Sequence, residues 1–66
     1  MLSNKLLIKA IEEEDIALLD EFTTYLRMKH NMTYKEIRNY FKFSANCSAG
    51  KFEDLMMQCD NLQEKS

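Results

Sequence analysis

The sequence predicts an all-α fold, a compact bundle of three to four short helices, and three observations lead to it. The 66 residues contain no Pro and a single Gly, Gly50, so the residues that build hairpins and tight turns are nearly absent. Leu, Lys, Glu, Met and Ala, all good helix formers, recur along the whole chain. Apolar side chains return every three or four positions, the period of a helix with one buried face. A chain of this length buries only about 60% of its unfolded surface, which makes residues 1–66 one domain with a thin core.

The first helix is expected over about residues 3–13, with Ser3 or Asn4 as its cap and Leu7, Ile8 and Ile11 on one side. The run from Glu12 to Asp15 contains no breaker, so residues 3–30 could form one helix; Asp15 as the cap of a second helix is the preferred reading. That second helix, 16–30, presents Ile16, Leu19, Phe22 and Leu26 at helical spacing. It ends where Asn31 can adopt the left-handed conformation. Thr33-Tyr34-Lys35-Glu36 then reads as a capping box, with Met32 and Ile37 placed for the matching hydrophobic staple. The third helix, 34–42, sends Ile37, Tyr40 and Phe41 to the core and Lys35, Arg38, Asn39 and Lys42 to solvent. The last, taken as 45–62, carries Phe52, Leu55, Met56 and Cys59 at helical spacing. Its start is open between Ala45 behind Ser44 and Ala49 behind Ser48. Residues 63–66 are expected to fray.

The net charge of −2 conceals an acidic, basic, acidic partition. Up to Tyr25, two lysines face six carboxylates, a net of −4; from Leu26 to Phe52, six cations face Glu36 alone, a net of +5. From Glu53 onward four carboxylates face Lys65, a net of −3. The basic block is what a phosphate-binding surface requires, and it is equally what a solvated helix face displays.

Cys47 and Cys59 lack the paired spacing of a metal site, and helix-borne thiols in a cytoplasmic protein are expected to stay free; no metal and no cofactor is expected. No apolar stretch approaches a membrane span, and the run from Leu6 to Ile8 is too short for the core of a signal peptide, so no membrane association and a cytoplasmic location are expected. His30, the single imidazole, falls at a helix end without an orienting group, and the carboxylates of Glu12 to Asp15 point in different directions from one helix. The chain is therefore not expected to be an enzyme.

The segment TYKEIRNYFKFSANCSAGKFEDL, Thr33 to Leu55, resembles the helix-turn-helix DNA-binding motif of bacterial and phage regulators. Ile37, Phe41, Phe43 and Phe52 stand at the motif's apolar packing positions, and Ser44 at the small polar position that opens its second helix. The resemblance implies that a helix from Ala45 enters the major groove, with Asn46, Ser48, Ala49 and Lys51 facing the bases and Lys35, Arg38 and Lys42 holding phosphates.

Two further likenesses concern protein partners. LSNKLLIKA with DIALLDEF is similar to the sporulation histidine-kinase inhibitors, and NMTYKEIRNYF is similar to the second helix of the Sin-type anti-repressors. Both families imply an amphipathic helical pair that docks on a regulatory protein.

In a domain this small, some of Leu18, Tyr25, Met28, Tyr40, Met56 and Met57 must remain exposed. Tyr25, Met28, Tyr40, Met56 and Met57 are the candidate protein interface, for a regulatory protein or a homodimer. The leading functional expectation is a small transcription regulator that contacts DNA through the central segment. The alternative is a small protein-binding regulator, an inhibitor or anti-repressor of phage style, that buries an apolar helix face on its partner.

Overall fold

A computed structural model describes residues 3–64 and shows four helices: α1 (Asn4–Glu13), α2 (Ile16–His30), α3 (Tyr34–Ala45) and α4 (Ala49–Glu64). Each begins at a side chain that accepts a hydrogen bond from the amide three residues on, filling a donor that the first turn leaves unpaired. Ser3 accepts from Leu6 at 3.3 Å and Asp15 from Leu18 at 3.2 Å. Thr33 accepts from Glu36 at 3.3 Å and Ser48 from Lys51 at 3.2 Å. At α3 the capping box is complete, because the Thr33 amide also donates to Glu36 Oε1 at 2.9 Å. The backbone bond first, and the Thr33 hydroxyl second, hold the Glu36 carboxyl below the ordinary value of 4.5.

The three joints share one construction. Glu14, Asn31 and Asn46 take the left-handed conformation, with φ of 51°, 55° and 54°, and end α1, α2 and α3. In each joint that residue's amide and the next one donate back to the last turn of the finished helix: to Ala10, Leu26 and Phe41 respectively. The cap of the following helix comes next, directly at Asp15, and after one inward-turned residue at Met32-Thr33 and Cys47-Ser48. Residues 4–30 are therefore two helices, broken at Glu14 and Asp15.

Three expected boundaries are corrected. α3 runs to Ala45 rather than ending at residue 42, because Phe43, Ser44 and Ala45 offer no left-handed residue and Asn46 is the first that does. α4 begins at Ala49 rather than Ala45, since Ser44 lies inside α3 and Ser48 is the first free capping hydroxyl. α4 ends at Glu64 rather than at residue 62; residues 65 and 66, the end of the segment expected to fray, lie outside the described residues.

Around the core the helices follow the order α1, α2, α4, α3, each packing on the two beside it. The diagonal is closed by aromatic rings. Phe22 of α2 meets Phe41 of α3 edge-on, with centroids 6.4 Å apart, and Phe41 meets Phe52 of α4 at 4.9 Å. Tyr40 and Tyr34 extend this row at its two ends, at 6.1 Å from Phe22 and 5.3 Å from Phe52. Leu7, Ala10, Leu19, Leu26, Ile37, Leu55 and Cys59 fill the space around it. Thr23, buried in α2, satisfies its hydroxyl by donating to the Asp20 carbonyl at 3.1 Å.

Two predictions follow from this packing. Phe41→Ala should cost about 3–5 kcal/mol, comparable with the whole stability of about 3–10 kcal/mol expected for a chain of this length, and should collapse the urea midpoint measured by helical circular dichroism. The lowered Glu36 pKa contributes stability above the ordinary carboxylate value and loses it as pH falls through the folded value. Acid melts of Glu36→Gln should accordingly be flatter below about pH 4 than those of the parent protein.

Candidate functional surface

The three helix-forming segments from Ile16 onward leave distinct surfaces outside, and the most unusual belongs to α3. Its inward side is Ile37 and Phe41. Phe43, two residues beyond Phe41, lies about 200° further round the helix and is 80% exposed. The expectation that Phe43 packs α3 onto α4 is corrected, since a residue in that direction cannot reach a neighbour on Phe41's side. The Lys42 ammonium lies 5.7 Å from the centroid of the Phe43 ring. Lys35, Asn39 and Lys42 are exposed on the same outward arc, and Arg38 is half-buried at its edge.

The other expected DNA contacts are differently employed. Asn46 is the left-handed residue that ends α3, and Ser48 is the cap of α4, so both stand in the connection rather than on a helix entering a groove. Lys51 is half-buried, and its ammonium is 3.3 Å from Glu14 Oε2, an ion pair that ties the first turn of α4 to the joint after α1. The outward face of α4 is acidic: Glu53, Asp54 and Asp60 are exposed, with Met57 at 63% and Asn61 among them. The structure thus gathers Lys35, Arg38 and Lys42 on one stripe of α3 and leaves Asn46, Ser48 and Lys51 outside it.

Of the expected protein-interface residues, Tyr25, Met28 and Met57 are exposed. Tyr25 and Met28 lie one turn apart on α2, and the Tyr25 ring meets His30 at 5.6 Å. Tyr40 and Met56 are not among the exposed ones. Tyr40 is half-buried against Phe22, with its hydroxyl donating to Asn4 Oδ1 at 3.1 Å. Met56 is 6% exposed, because it lies one turn from both Phe52 and Cys59 and belongs to the buried stripe of α4. Phe43 is the interface candidate that sequence reasoning missed, although the helical angle between positions 41 and 43 was the available signal.

Both cysteines are free thiols and buried. Burial pushes the Cys47 thiol above its ordinary value, with Lys51 opposing, and its Sγ donates to the Ser48 carbonyl at 3.6 Å. Burial chiefly, then Asp20 and Asp60, raises Cys59 to about 11, against the opposing charge of Arg27. Thiols held neutral in this way are poor nucleophiles and poor metal ligands. Among the described residues no group of three His, Cys, Asp or Glu side chains is placed to hold a metal ion, and no helix is long and apolar enough to cross a membrane.

Compared with protein-family models, with curated proteins and with solved structures, the chain matches none.

The role of Asn46 is open to a direct check. As a helix terminator, Asn46→Ala should lower stability by about 1 kcal/mol, whereas Asn46→Gly should leave the urea midpoint nearly unchanged. Equal losses for both variants would show that the side chain, not its left-handed backbone, is what matters.

Proposed function

We propose that this protein is a small protein-binding regulator that docks through the outward face of α3 onto an acidic surface of its partner. One observation carries the reading: Phe43 stands 80% exposed beside Lys42, while Phe22, Phe41 and Phe52 are all buried. An unburied Phe side chain offers about 2–3 kcal/mol to whatever covers it, and a ring flanked by cations suits a partner with an apolar pocket rimmed by carboxylates. The lysines then steer the encounter and set its register, while the ring supplies most of the affinity.

DNA binding is the second reading, favoured by Lys35, Arg38 and Lys42 at i, i+3 and i+7 on one stripe, a spacing able to follow a phosphate backbone. It ranks lower because Lys51 is already paired with Glu14, and because the helix packed beside α3 exposes carboxylates, Glu53, Asp54 and Asp60, which repel phosphates.

A photo-crosslinking amino acid at position 43, compared with one at the exposed Glu21, tests the proposal in cells. Adducts to another protein should form from position 43, disappear when Lys35 and Lys42 are changed to Glu, and be absent from position 21. Phe43→Ala should abolish binding while moving stability by no more than about 0.5 kcal/mol. Retardation of a generic duplex at low salt, with affinity falling steeply as salt rises, would transfer the function to the second reading.

A further inference from the structure

The outward faces of α3 and α4 are opposite in charge and alike in spacing. On α3, Lys35, Asn39 and Lys42 occupy i, i+4 and i+7; on α4, Glu53, Met57 and Asp60 occupy i, i+4 and i+7. Each charged pair is therefore separated by seven residues, two turns or about 10.5 Å of helix. All six are exposed, and within the described chain none of the four charged members forms an ion pair. Each face also contributes one strongly exposed apolar side chain, Phe43 on α3 and Met57 on α4.

From this match we infer that a second copy of the chain covers the α3 face, in a two-fold dimer that lays α3 of each protomer on α4 of the other. Lys35 and Lys42 of one protomer then meet Glu53 and Asp60 of the second copy, and the symmetry repeats the contact in reverse, giving four interprotomer charge pairs. Met57 then lies between the two charged positions of its face and Phe43 beside the pair made by Lys42, so the contact covers both apolar side chains, and a soft thioether near a ring edge is favourable. Two-fold closure is the arrangement that uses both faces at once and leaves neither to propagate a filament. An interface at the low end for specific association, about 600 Å² per protomer, would cover about an eighth of the 4728 Å² surface. Surface ion pairs of this kind are weak and salt-sensitive, so the dimer is concentration-dependent and loosens as salt rises.

The dimer rests on the charge and spacing of the two faces and not on the proposed partner. Where both hold, it occupies the surface that the partner would use, and the acidic face of α4 stands in for the partner's carboxylates.

Sedimentation equilibrium at low salt, from about 1 µM to about 1 mM, tests the inference across the range of weak to moderate association. Two charge-reversed variants decide it: one carrying Lys35→Glu and Lys42→Glu, the other Glu53→Lys and Asp60→Lys. In each, one change favours its helix dipole and the other opposes it, so helicity should be retained, as circular dichroism would verify. Wild-type protein should dimerise; each variant alone, with like charges on both faces, should be monomeric; an equimolar mixture of the two should recover the dimer. A monomeric wild type across the range overturns the inference, as does a dimer insensitive to either reversal or a mixture that stays monomeric. Should a double variant lose helicity, Phe43→Ala and Met57→Glu serve in its place, and each should weaken the dimer at least tenfold; unchanged association would overturn it. Because no partner enters these measurements, their failure leaves the partner reading standing, and failure of the position-43 crosslink to a different protein leaves the dimer standing.

Discussion

The structure depends on a row of aromatic rings that crosses its middle. Phe22, Phe41 and Phe52 come from three different helices, and Phe41 touches both of the others edge-on. In a domain of 66 residues there is too little interior for a second layer, so this contact both joins α2 to α3 across the diagonal and positions α4 against them. The edge-to-face geometry adds direction to what would otherwise be undirected apolar contact. Leu7 and Ala10 bring α1 onto this centre, and the remaining aliphatic side chains fill the gaps that the rings leave.

Holding four helices around so small a centre requires sharp, well-defined joints, and the chain makes these three without glycine. Its one glycine, Gly50, lies within α4 with open space around it, so it is not used for a turn. Asn31 and Asn46 adopt the left-handed conformation at modest cost because their short polar side chains tolerate it. Glu14 has no such advantage, and its carboxylate is instead engaged with Lys51 of α4. The joints at 31–33 and 46–48 follow the same pattern of terminator, inward residue and hydroxyl cap, which gives α3 and α4 equivalent starts.

The residues that close the joints and caps serve the fold: Asn46 ends α3, Ser48 caps α4 and Lys51 pairs with Glu14, so these three lie apart from the stripe of α3 that carries Lys35, Arg38 and Lys42. Outside, besides Tyr25 and Met28 on α2, stand a basic face on α3 with Phe43 in it and an acidic face on α4 with Met57 in it. Both expose apolar area that water solvates poorly, and each has the charge that the other would attract. The proposed partner and the proposed dimer are two ways of covering the same α3 surface.

Much of this was legible from the residues alone. The helical class followed from composition and period, and the joints at Asp15, Asn31 and Thr33 from the chemistry of caps, because those signals act over three or four neighbouring residues. The buried stripes of α2 and α4 were equally readable from spacing. The third joint was not, because Ser44 and Ser48 are both competent caps, and the choice fell to Asn46, which lets α3 run on until the chain can turn. The half-burial of Tyr40 was likewise decided by tertiary packing, whereas Phe43 and Met56 had readable signals in the helical angle from Phe41 and in the spacing from Phe52 and Cys59. Periodicity marks the centre of a buried stripe, but at its edges burial depends on which helix lies alongside. Tyr40, at such an edge, found Phe22 and Asn4 alongside. The order α1, α2, α4, α3 around the core belongs to the same category, since four amphipathic stripes can be arranged in several ways and only the mutual fit of their side chains selects one.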